Sequence, residues 1–128
     1  MKLNDEEKKH TFNEYLRHLS HLLDKEYQRR VWIRGEGPEC QAFDDAVCDF
    51  FDIGDPILSD YKEFGITEIQ YSLLKKFRNK FRVFANDNDF PEEFIDTLEW
   101  EKITEMAKEI LEAFDYPKKN NFQIRGPE

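Results

Sequence analysis

The sequence predicts an all-α, single-domain bundle of five to six helices. Three observations lead there. Apolar residues recur at spacings of three and four through most of the chain. No segment sustains the apolar–polar alternation of a strand, and no internal repeat is visible. Asn4, Thr67 and Pro91 stand where helices would begin, and Gly35, Gly37 and Gly65 where they would end. The 128 residues suffice for one core. The helical domain is expected over residues 1–116, and residues 117–128 read as a polar, partly disordered tail. Phenylalanine accounts for twelve of the nineteen aromatic residues while only 39% of positions are hydrophobic, so burial must rely on large rings.

A first helix is expected from Asp5 to Arg30. Asn4 caps it, Asp5, Glu6 and Glu7 fill its first turn, and Phe12, Tyr15, Leu16, Leu19, Leu22, Leu23 and Tyr27 form its buried stripe. "RGEGP", residues 34–38, is the clearest break in the chain. The second helix is expected from Glu39 to Asp52, ended by "IGDP". A short helix then starts at Pro56 and stops at Gly65. Thr67 and Gln70 make a capping box for a helix to Ala85, buried through Ile69, Leu73, Leu74, Phe77, Phe81 and Phe84. "NDND", residues 86–89, reads as a loop, and Pro91 opens a short helical turn. Because the apolar phase shifts after Asp96, the last helix is placed from Thr97 to Phe114, with Asp96 and Glu99 as its capping pair.

A net charge of −9 and a pI near 4.9 disfavour a phosphate backbone and favour basic partners. No run has the length of a membrane span, and "MKLNDEEKKH" lacks the apolar segment of a signal peptide, so a cytosolic protein is expected. Cys40 and Cys48, placed on one helix, would lie roughly 12 Å apart, too far for a disulfide. With no CxxC pair, structural zinc is not expected either.

The acids are laid out in blocks. Residues 36–63 hold nine acids against one base, a net −8, and residues 86–101 hold seven acids and no base. The segment between them, 64–85, is +4. On the second helix a step of about 100° per residue sets Phe43, Val47 and Phe50 on one side and Asp45, Asp49 and Asp52 on the other, with Asp44 at the border. Like charges at this spacing repel by a few tenths of a kcal/mol per pair, roughly, so local stability does not call for them. Two readings stay open: a solvated face, or an acidic surface that a cationic partner neutralises. The candidate partner-binding residues are Asp44, Asp45, Asp49, Asp52, Asp55, Asp60 and Tyr61 in the first block, and Asp87, Asp89, Glu92 and Glu93 in the second. Tyr61 and Phe64 are the candidate apolar anchors. Trp100 fits the core, whereas Trp32, at a helix end, reads as more open. Tyr71, Lys75, Arg78 and Arg82 share one face of the fourth helix, either as an anion-binding ridge or as a face that pairs with the acidic helix or is simply solvated.

Catalytic chemistry finds little support. His10, Glu14, His18 and His21 line one face of the first helix at chelating spacing, but opposite the apolar stripe, where ligands would lack supporting groups. "DNDFPEE" resembles a calcium loop only superficially, since the sixth and twelfth positions counted from Asp87 are Glu92 and Leu98 rather than glycine and glutamate. "RGEGPE" lacks the lysine of a phosphate loop. Paired carboxylates need a water-poor pocket to act as acid and base, and these are expected to face solvent. A non-enzymatic protein without cofactor or metal is therefore expected.

The stretches "GPECQAFDDAVCDFFDIGDPIL", "YKEFGITEIQYSLLKKFRNKF" and "DFPEEFIDTLEWEKI" resemble the immunity proteins of contact-dependent growth inhibition toxin systems, over about residues 35–114. That resemblance implies a cytosolic protein that binds and neutralises one cognate toxin domain, often a nuclease. A nuclease gripping phosphates carries a basic cleft, which an array of carboxylates can occupy, and opposite fields speed capture. The rival expectation is a non-catalytic helical adaptor that uses the basic ridge or an apolar groove.

Overall fold

The computed structural model describes residues 4–38 and 41–116. The expected tail 117–128 lies outside the described residues. So do Glu39, the expected start of the second helix, and Cys40, on which the thiol spacing rested; Cys48 is an exposed free thiol.

Among the described residues the chain is all-α, with no strand. Helix α1 spans Asp5–His21, and α2 is the short Lys25–Tyr27, which continues as a π-helical segment over Gln28–Ile33. Then come α3 (Phe43–Ser59), a 3-10 turn (Tyr61–Phe64), α4 (Glu68–Asp87), α5 (Pro91–Phe94) and α6 (Leu98–Ala113). The four long helices meet in a ring, α1 on α3, α3 on α4, α4 on α6 and α6 on α1, while α5 packs on the π-helical segment. No helix among the described residues is long and apolar enough to cross a membrane.

Local chemistry sets several boundaries where expected. Asn4 Oδ1 accepts the Glu7 amide at 2.8 Å while Glu7 Oε1 accepts the Asn4 amide at 3.0 Å, closing a capping box on α1. Thr67 and Gln70 do the same for α4, at 3.1 and 2.9 Å. Pro91 stands first in α5, where its missing N–H costs nothing.

The expected single helix Asp5–Arg30 is interrupted. After His21 the chain tightens into i→i−3 bonds through Leu22, Leu23 and Asp24, and the Asp24 carboxylate accepts the Tyr27 amide at 3.0 Å to cap a new helix. Gln28, fully buried, repairs the break: its Nε2 donates to the His21 carbonyl at 2.9 Å and its Oε1 accepts the Trp100 indole N–H at 3.2 Å. Leu23, in the turn, is exposed rather than buried, and Trp32 is buried rather than open.

The expected break at "IGDP" is absent. α3 runs through Gly54 and Pro56 to Ser59, so the separate helix from Pro56 reduces to the 3-10 turn. Gly54 is there for contact with α1: a Cβ at this position would lie 2.7 Å from Tyr15 Cε1. The 3-10 turn ends at Gly65, whose φ of 73° needs glycine's freedom. α4 extends past Ala85 to Asp87, taking half of "NDND" into the helix, and Asn88 Nδ2 then donates to the Phe84 carbonyl at 2.9 Å. Ile69, expected in the core, is 78% exposed, one residue inside the α4 N-terminus. Thr97, not Asp96, caps α6, accepting the Trp100 amide at 3.2 Å. Asp96 instead pairs with Lys25 and Arg29, each at 3.1 Å, which holds its carboxyl below the usual range.

One apolar core joins all the helices. Trp100 is its largest fully buried side chain, with Phe94 at 4.8 Å and Phe84 at 5.3 Å between ring centroids. Such aromatic pairs add about 0.5–1.5 kcal/mol each beyond the area they bury. Rings thus do the work that the sparse aliphatics cannot.

Candidate partner-binding surface

The inward side of α3 is anchored by Phe43 and Phe50, both buried, with Val47 partly so. Helical periodicity therefore turns Asp44, Asp45, Asp49 and Asp52 outward, and all four are exposed. Two are held in place. Asp45 Oδ2 accepts the Ala42 amide at 3.3 Å, the reach-back bond of a helix start, and Asp49 Oδ2 accepts from Gln41 Nε2 at 3.1 Å. Neither bond supplies a positive charge, and among the described residues neither carboxylate has an ion pair.

Asp55, one turn further on, is different. It takes both arms of Arg78 from α4, at 3.0 and 3.2 Å, and this pair pushes the guanidinium pKa up. Tyr61 is likewise engaged within the fold. Its hydroxyl donates to Glu68 at 2.6 Å, which raises the phenol pKa, and its ring stacks on Tyr71 at 4.0 Å. Phe64 is partly buried against the core. The basic ridge of α4 is knitted to its neighbours as well: Arg78 holds Asp55, Arg82 lies 3.9 Å over the Phe51 ring, and Lys75 lies 5.8 Å over Tyr71. Of the readings of that ridge, pairing with the acidic helix describes Arg78 and Arg82.

The second block stands free. Asp87 ends α4, Asp89 follows in the loop, and Glu92 and Glu93 open α5. All four are exposed, and among the described residues none has an ion pair. Phe90, between them, is 56% exposed. It precedes Pro91, which keeps its backbone extended, at φ −117° and ψ 105°, and so delivers the ring outside the helix that follows. Periodicity alone did not single out Phe90 as an anchor; its position between acids and before a proline was the available signal.

The two blocks meet through their buried members. The rings of Phe43 and Phe94 pack edge-to-face at 4.8 Å, which holds the first turn of α3 against α5. Asp44 and Glu93 are the exposed chain neighbours of those two rings. The start of α3 is thus tied to α5, each carrying exposed acids beside its buried ring. Asp60, sixteen residues beyond Asp44, sits roughly 24 Å along α3 at about 1.5 Å per residue. Asp60 and Tyr61 therefore belong to the other end of α3.

The face of α1 carrying His10, Glu14, His18 and His21 was expected in solvent. It is only partly so. His21 stacks on Tyr27 at 4.0 Å, and His18 is half-buried, with burial lowering its pKa against the opposing pull of Asp49 and Glu14. Among the described residues, no three His, Cys, Asp or Glu side chains gather as a metal-binding group. Comparison with protein-family models, curated proteins and solved structures found no match.

Proposed function

We propose that the protein is an inhibitory binding partner of the immunity type, which captures a basic toxin domain in the cytosol and blocks it without catalysis. The observation that carries this reading is the exposed acid of the two blocks. Asp44 and Asp45 open α3, Asp87, Asp89, Glu92 and Glu93 flank the exposed ring of Phe90, the rings of Phe43 and Phe94 join α3 to α5, and among the described residues none of these acids has an ion pair. A protein keeps such unpaired charge at a cost in self-repulsion, and a cationic partner relieves it. The field steers encounter, and an aromatic ring inside a charged rim supplies the apolar contact that slows dissociation. Asp49 and Asp52 extend the same field along α3.

The test begins with capture of the product of the upstream gene, followed by association kinetics at several salt concentrations. Reversing Asp45, Asp49 and Asp52 to lysine slows association and flattens its salt dependence, with the fold intact by circular dichroism. Reversing Glu92 and Glu93 does the same, while Phe90→Ala acts chiefly on dissociation. Unchanged kinetics in both well-folded charge-reversal variants would overturn the acidic-surface reading.

A further inference from the structure

Trp32 is 7% exposed, and its indole N–H is buried with no acceptor from the protein. A buried donor left in that state costs about 1–3 kcal/mol, and native structures rarely tolerate one without a water or ion. Trp32 lines a small, largely enclosed pocket with His18, His21, Leu22, Gln41 and Ala46, and with the rings of Phe50 and Phe81. The space open to the centre of a water-sized sphere is about 10 Å³, which is room for a single water. The wall is mixed. His18 carries an imidazole that burial keeps toward its neutral form, with one nitrogen able to accept. Gln41 Oε1 takes one bond from the Tyr27 hydroxyl at 3.3 Å and retains a second lone pair.

We propose that this cavity is a binding site for one structural water, which accepts the Trp32 indole N–H and donates to His18 and to Gln41 Oε1. A larger ligand does not fit the volume. The water completes three bonds, the usual number for a buried one. It connects the core tryptophan to the residue that positions Asp49, and it holds whether or not the acidic face binds a toxin.

The experiment is rotating-frame water–protein NMR on the full chain, which separates dipolar contact from proton exchange by sign. Two indole N–H signals exist, and Trp32→Phe assigns them by removing one. The Trp32 signal shows a dipolar cross-peak to water that persists for nanoseconds or longer. The Trp100 signal, bonded to Gln28, shows none and serves as the internal control. Ala46→Val, which places methyl groups toward the cavity, abolishes the Trp32 cross-peak. A Trp32 indole without a dipolar water cross-peak in the unmodified protein overturns the proposal. So does a cross-peak that survives in a folded Ala46→Val variant.

Discussion

Gly54 of α3 lies so close to the Tyr15 ring of α1 that a methyl group in its place would come within 2.7 Å of Cε1. Tyr15 is 1% exposed and stacks on Phe50 at 5.1 Å, so the ring has nowhere to retreat. Gly54→Ala gains helix propensity but overpacks this contact. We expect it to destabilise the protein by about 1–3 kcal/mol in chemical denaturation. A Gly54→Ala variant more stable than the parent would mean that α1 and α3 separate freely.

Gln28 links two elements with one amide. Gln28→Leu leaves the Trp100 indole N–H without its acceptor and the His21 carbonyl without its second donor, and we expect a loss of about 2–4 kcal/mol in thermal or urea unfolding. In the Trp100→Phe background, where the indole donor is already gone, the same change costs less. A double-mutant cycle with no coupling between the two positions would refute the bond.

His18 makes stability depend on pH in a defined direction. The unfolded side chain titrates near 6.5, and burial holds the folded one lower. Between the folded value and 6.5 the unfolded chain binds the extra proton, so stability rises with pH across that window and levels off above it. The proton NMR titration of His18 should have its midpoint below 6.5, and His18→Gln should flatten the stability slope in the same window. A midpoint above 6.5 would show that Asp49 and Glu14 outweigh burial.

Asp96, far along the chain, holds Lys25 and Arg29, but all three side chains are largely open to water. Asp96→Asn should therefore change stability little at high salt and more at low salt. Its carboxyl is lowered by the two cations, so the contribution is present above the unfolded value of about 3.8 and fades as pH falls through the folded one. Salt-independent destabilisation would point to packing instead.

Legibility in the sequence followed the range of the interaction. The cap at Asn4 and the capping box at Thr67 are complete within four residues, and both were readable, though the return bond from Glu7 was not. The break at Asp24 was not. Leu22 and Tyr27 keep an apolar spacing across it, and the bond that compensates it comes from Gln28 and, beyond that, from Trp100. Gly54 and Pro56 look like a terminator when the chain is read alone, because the reason for the glycine is Tyr15 on another helix. At the candidate surface, periodicity was enough to turn Asp45, Asp49 and Asp52 outward. It could not show that Asp55 is spent on Arg78 or that Phe43 and Phe94 tie the start of α3 to α5. Nor does being phenylalanine separate Phe90, exposed, from Phe94, buried four residues later.

The hydrogen bond from Trp100 to Gln28 spans 72 residues and ends at the weakest point of the first helix. Its consequence is kinetic as well as structural. The bend between His21 and Gln28 has local bonds of its own, but the Gln28 Oε1 acceptor is filled only when α6 is docked. The buried Gln28 side chain should then lose its protection whenever α6 opens, coupling the two ends of the described chain in hydrogen exchange.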